Sequence, residues 1–180
     1  MVELYKQNYN ENKKLYNKIA KQLKEKIPND IPINHVGSTS IPYMYGKDII
    51  DILIGIPNEK DMDKYSKIIK NLGYYPGSHS KGIYRFFAST EEETKKGDIH
   101  LHLVYINTKR YNDFLILKNY LLTNKNERKS YSNFKKNLIN KGIINREEYK
   151  KIKSEYVEKL IERANEIASK KGKKRNNHLE

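Results

Sequence analysis

A glycine and two hydroxyl residues, Gly37-Ser38-Thr39, precede an apolar run, Ile49-Ile50-Asp51-Ile52-Leu53-Ile54, that carries a single carboxylate. Glycine lets the backbone approach an anion, and neighbouring amides with the Ser38 and Thr39 hydroxyls can donate to phosphate oxygens. A charge amid isoleucines needs a partner, and Asp51 is suited to hold a divalent cation against the same phosphate. Further along, Asp98-Ile99-His100-Leu101-His102-Leu103-Val104 alternates polar and apolar side chains, so a strand would set Asp98, His100 and His102 on one face. If that strand lies beside the one carrying Asp51, both imidazoles reach the carboxylate, with His35 as a further donor near the glycine turn. The catalytic candidates are therefore Asp51, His100 and His102. The metal candidates are Asp51, His100, His102, Asp98 and His35. Gly37, Ser38, Thr39, Lys47 and Arg85 are the phosphate candidates, Arg85 through its planar fork.

The ion would be Mg, Mn or Zn: imidazole suits zinc-like ions, and oxygen suits magnesium. The histidines could instead contact phosphate or move a proton. Each assignment has a structural counterpart. His35 equally suits a buried, hydrogen-bonded role in ordering the turn, and Ser38 and Thr39 suit turn caps. His100 and His102 fit the polar face of a half-solvated strand. Lys47 fits a solvated charge at the strand entrance, and Arg85 a cover for the sheet edge or a partner for a glutamate.

The elements that must position these groups follow from periodicity. Leu15, Ile19 and Leu23, with Tyr16, Ala20 and Ile27 beside them, predict an amphipathic helix over Asn10 to Ile27, ended by Pro28. Strands are predicted at Ile33 to Val36, Asp48 to Ile56 and Tyr84 to Ala88, with a helix over Asp61 to Leu72 closed by Gly73. The polar stretch between Ser89 and Gly97 reads as a hairpin loop. Three more helices are predicted over Asn112 to Leu122, Glu127 to Ile139 and Arg146 to Ala168. Strands with helices, then helices alone, indicate an α+β fold. Residues 1–168 form one domain, a sheet part to about 107 and a helical part from about 108, followed by a basic, disordered tail over 169–180. Leu179-Glu180 also reads as a cloning remnant.

The formal charge of +14 attracts polyanions, but Lys, Asn, Ile and Tyr are abundant together, as AT-rich coding produces, and the tail inflates the excess. No aromatic-interleaved basic ribbon marks a nucleic-acid platform, so RNA binding is weakly supported. The chain has no cysteine, which removes disulfides and thiolate chemistry and suits a reducing cytoplasm. No apolar run approaches the roughly 20 residues of a membrane span. P-loop, Rossmann, nucleophile-elbow and zincin motifs are missing.

Gly37-Ser38 followed by a strand with Asp51 resembles the signature of the polymerase-β-like nucleotidyltransferase superfamily. The ordered set His35-Val36-Gly37-Ser38-Thr39-Ser40-Ile41-Pro42, Gly46-Lys47, Ile49 to Ile52, Leu72-Gly73-Tyr74, Arg85-Phe86-Phe87 and His100-Leu101-His102 is similar to the GrpB family. The resemblance extends through Leu117 to Leu121, Tyr131 and the helix over Tyr149 to Ile161. It implies a nucleotidyltransferase-like mixed sheet flanked by helices, with strand carboxylates holding two divalent ions that align a nucleoside triphosphate. The chain departs from that pattern at Leu53, where a second carboxylate would share the face of Asp51. Asp48 lies at an odd offset and replaces it only if the strand begins after it. Tyr43 and Asp48 stand where the family has glycine and proline, and Lys118 where it often has arginine. The expected function is binding of a nucleotide or other phosphorylated small molecule with a divalent ion, and transfer of a nucleotidyl group to an unidentified acceptor. The alternative is a non-catalytic sensor or accessory module, linked by resemblance to coenzyme A metabolism.

Overall fold

A computed structural model describes residues 1–77, 82–90 and 98–176, with side chains to Lys170. The elements are β1 (Tyr5–Lys6), α1 (Tyr9–Lys24), β2 (Ile33–Val36), β3 (Tyr45–Gly46), β4 (Ile50–Ile56), α2 (Met62–Asn71), β5 (Tyr75–Pro76), β6 (Tyr84–Ala88), β7 (Ile99–Tyr105), α3 (Lys109–Thr123), α4 (Lys125–Asn140) and α5 (Arg146–Asn176). A five-stranded sheet runs β2-β4-β7-β6-β5, and β1 pairs with β3 beside it. Among the described residues only β4 and β7 pair in parallel, which demands a crossover, supplied by the segment that holds α2, β5 and β6.

Alternation divides the sheet into two faces. Ile50, Ile52, Ile54, Ile56, Leu101, Leu103 and Phe87 point to one side, where Ile19, Leu23 and Ile27 at α1 and Met62, Tyr65 and Ile69 of α2 complete the main core. Seen from the other side, Val36, Leu53 and Val104 pack on Tyr111, with Phe114 and Leu115 of α3 beside them. That second cluster covers only part of its face. The rest, toward Asp51 and His100, is bordered by the segment after Gly37, whose Ile41 and Met44 are buried among Tyr120, Tyr131 and Leu160 of α3, α4 and α5.

The α+β architecture, with a mixed sheet flanked by helices and a helical C-terminal part, agrees with the sequence reading. Several details differ. β4 starts at Ile50, because Asp48 and Ile49 form the turn that leads into it, with Ile49 N–H bonded to Lys47 O. Leu15, expected on the apolar face of α1, is exposed, since Tyr16, Ile19 and Leu23 are the residues angled at the sheet. The two-residue strands β1, β3 and β5 are too short to leave a periodic signal. α5 continues to Asn176, past the boundary expected at Ala168, because its alanines and lysines are strong helix formers and a lone Gly172 costs only about 1 kcal/mol. The predicted hairpin loop falls largely on 91–97, outside the described residues; β6 and β7 on either side of it pair antiparallel. Among the described residues no helix is long and apolar enough to cross a membrane.

Candidate functional site

The register of β4 against β7 sets Asp51 opposite His100 and Leu53 opposite His102. Both imidazoles turn to the same carboxylate oxygen: His102 Nε2 lies 3.2 Å and His100 Nδ1 3.4 Å from Asp51 Oδ1. Burial alone would raise the Asp51 pKa, but the hydrogen bonds and charge of His100 and His102 outweigh it and hold the carboxyl below the usual range. The Tyr84 hydroxyl lies 3.0 Å from His102 Nδ1, and burial pushes the phenol up to about 12 against the pull of Arg110, whose guanidinium sits 4.3 Å above the ring. A protonated phenol donates to Nδ1, which leaves Nε2 to carry the proton that faces Asp51. Phe86 meets His100 edge-on at 4.8 Å, and Phe114 packs on His102 at 4.8 Å, which fixes both rings.

Gly37 closes the other side of the carboxylate. Its φ is +73°, and a β-carbon there would stand 2.2 Å from Asp51 Oδ2, so both backbone and packing require glycine. A short helical turn, Ser38–Ser40, follows, held by Ser40 N and Oγ donating to Gly37 O at 3.3 and 2.8 Å. The Ser38 hydroxyl accepts a hydrogen bond from Lys135 Nζ at 2.9 Å, and the same ammonium donates to Tyr45 O and lies 4.5 Å over the Tyr131 ring. Lys135 is 1% exposed, and burial with Lys153 nearby pushes its pKa down to about 7.

More cations gather around this loop. Lys47, 5.7 Å over the Tyr149 ring, is pushed down to about 8 by burial and by Arg146, Lys153 and Lys150, with Asp51 opposing. Burial also lowers Lys153, with Asp51 opposing and Lys150 adding to the fall. Lys118 of α3, lowered by burial, lines a cavity of about 230 Å³ with His35 and Ser40 on the far side of the loop.

A profile of the GrpB protein family matches residues 2–163. The chain belongs to the GrpB family. Among its relatives, the glutamate-rich protein GrpB of Alkalihalophilus pseudofirmus is 31% identical over 134 residues, 72% of this chain and 76% of that one. The crystal structure of the conserved protein GrpB from Enterococcus faecalis superposes with a TM-score of 0.74 at 22% identity, covering 91% of this chain and 96% of that chain. The Cid1 poly(U) polymerase, with MgGTP bound, aligns with a TM-score of 0.42 at 12% identity over 65% of this chain and 42% of that one, a fit too loose to assign chemistry. Unlike a glutamate-rich protein, this GrpB-family chain has 36 Lys and Arg against 22 Asp and Glu.

Of the predicted site residues, Asp51, His100, His102, Gly37 and Ser38 come together, with Lys47 near them. Four others do not join them. His35 pairs with Ile52 across β2 and β4, so it points to the opposite face; it stacks on Tyr16 at 4.7 Å, and burial with Lys118 pushes it down to about 4. Thr39 donates its one hydroxyl proton to Ile49 O at 3.1 Å and receives the His35 Nε2 proton at 3.0 Å, so both residues order the turn instead of facing a ligand. Arg85 pairs with Leu103, also on the isoleucine face, and its guanidinium lies 3.7 Å from Asp63. Asp98 precedes β7 and is exposed, its carboxylate accepting the Ser89 hydroxyl at 2.8 Å. Tyr43 is 75% exposed with φ 61°, its ring 5.9 Å from the Arg128 guanidinium, so it does not pack the loop.

Lys135 and Lys153 were not anticipated, although a signal existed. In α4 Lys135 occupies the apolar stripe between Tyr131 and Leu138, and in α5 Lys153 occupies the stripe of Tyr149, Tyr156 and Leu160. Lysines at positions that periodicity reserves for apolar side chains mark charges directed inward.

The arrangement does not fit the two-ion centre of the superfamily. Leu53 is fully buried beside Val36 and Val104 where the second carboxylate would stand. Asp51 Oδ1 already faces two imidazole nitrogens, and Oδ2 lies against Gly37. Among the described residues, no group of three or more His, Cys, Asp or Glu is arranged to hold a metal ion.

Proposed function

We propose that this chain binds a nucleotide or another phosphorylated small molecule at the Gly37-Ser38 loop, beside Asp51, His100 and His102. The Lys135–Ser38 contact carries the reading. Burying an ammonium is costly, and here it is set under a glycine turn where its N–H occupies a lone pair of the Ser38 hydroxyl. That leaves the hydroxyl proton to donate outward, from a loop bordered by the Lys135 and Lys47 side chains. His102, polarised between Tyr84 and Asp51, is the group best prepared to exchange a proton with a ligand. Nucleotidyl transfer is the reaction that the family resemblance suggests. The second reading, a sensor that binds without transferring, is favoured by Leu53 and by the use of both imidazoles on one carboxylate oxygen.

Calorimetric titration with nucleoside triphosphates tests the binding. Lys135→Met should weaken it about tenfold, the equivalent of 1.4 kcal/mol; unaltered affinity would dismiss this site. Pyrophosphate release on incubation with triphosphate and candidate hydroxyl acceptors would support transfer, whereas binding without release would support the sensor.

A further inference from the structure

The cation cluster poses an electrostatic problem. Arg146, Lys150 and Lys153 press on Lys47, with Lys150 also 3.7 Å from Glu147, and Asp51 opposes the crowding at Lys47 and Lys153 while its own Oδ1 engages both histidines. Lys47 directly follows Gly46, where a β-carbon would stand 2.5 Å from Ser38 Cβ, so its backbone lies against the Gly-Ser loop. Lys135 reaches the same loop from α4, and Lys153, half-buried, lies one helical turn beyond Tyr149, the residue beneath Lys47. Two of these lysines occupy apolar stripe positions, where a leucine or methionine would pack at lower cost. Charges kept in such positions are balanced best by an anion with several charges.

We propose that Lys47, Lys135 and Lys153 form a clamp for a linear di- or triphosphate and supply the counter-charge that two divalent ions supply in a carboxylate centre. The inference rests on the phosphate-binding reading above and deepens it: the ligand is a polyphosphate chain, taken up without a divalent ion. Lys47 and Lys153, both half-buried, meet phosphoryl groups as point charges and Lys135 acts through the Ser38 hydroxyl, while Asp51 holds His100 and His102 and does not ligate a cation. Mg²⁺ bound to the phosphates would compete with the lysines.

Titration of the full chain with inorganic tripolyphosphate, first in EDTA and then in excess Mg²⁺, tests this. Binding in EDTA should be as tight as in Mg²⁺ or tighter, and Lys153→Met should weaken it about tenfold. The thermal midpoint of Lys153→Met should hold or rise, since the change completes an apolar stripe; a purely structural lysine would show the reverse. Should that variant fail to fold, Lys47→Gln, outside the helices, carries the same expectation. Binding that appears only with Mg²⁺, or unaltered affinity in the lysine variant that folds, overturns the clamp while leaving phosphate binding intact. No binding in either condition overturns both.

Discussion

The isoleucine face and the histidine face of the sheet are built by the same strands, one residue out of step, yet they differ in almost every physical respect. On β4, Ile50, Ile52, Ile54 and Ile56 form a dry core, while Asp51, between two of them, points to the other side with a side chain 26% exposed. On β7, Leu101 and Leu103 join that core, while His100 and His102 turn to Asp51. The main aliphatic core lies on one face and the Asp51, His100 and His102 cluster on the other. Strand pleating alone allows a single short segment to serve both without placing a charge in the core.

That division can be broken on the core side first. Ile52→Ala should cost about 4 kcal/mol, within the range for emptying a fully buried aliphatic site, and leave tripolyphosphate affinity of the folded fraction unaltered. Denaturant unfolding and titration together check it; affinity falling with stability would mean the faces are coupled.

His35 sharpens the comparison, because it is a buried titratable group on the isoleucine face. Its folded pKa of about 4 lies below the unfolded 6.5, so between those values the unfolded chain binds more protons. Its contribution to stability is therefore complete above pH 6.5 and lost as pH falls toward 4. At 1.36 kcal/mol per unit this is on the order of 3 kcal/mol, and His35→Gln should flatten the slope of unfolding free energy across that window. An unchanged slope would show that the proton is taken up elsewhere.

The smallest effect is expected on the histidine face. Tyr84→Phe removes the donor to His102 Nδ1 and should cost about 1 kcal/mol, because an unpaired imidazole nitrogen at this partly open site can find water. Imidazole ¹⁵N shifts should show His102 losing its preference for the Nε2–H tautomer; a preference kept without Tyr84 would locate its cause in Asp51 alone.

Much of this site was legible before the fold was known. The alternation through Asp98 to Val104 separated His100 and His102 from Leu101 and Leu103, and the glycine before two hydroxyls located the loop. The differences share one origin. Periodicity extends the histidine face to Asp98, but β7 begins at Ile99 and Asp98 turns to Ser89. The sequence leaves His35 and Arg85 between a ligand role and a structural one, and parity across the sheet sends both to the isoleucine face. Local alternation says which residues share a face within a strand and nothing about how the faces of two strands correspond.

The sequence by itself determined the longer elements, the glycine turn, the lone carboxylate of β4 and the missing partner at Leu53, because each depends on periodicity or backbone freedom within a few residues. Only the tertiary structure decided that β4 and β7 are parallel neighbours with Asp51 opposite His100, that His35 faces away, and that Lys135 reaches the loop from α4. Those facts depend on strand register and helix docking, which bring together residues as distant as Ser38 and Lys135 and are settled by packing of the whole core.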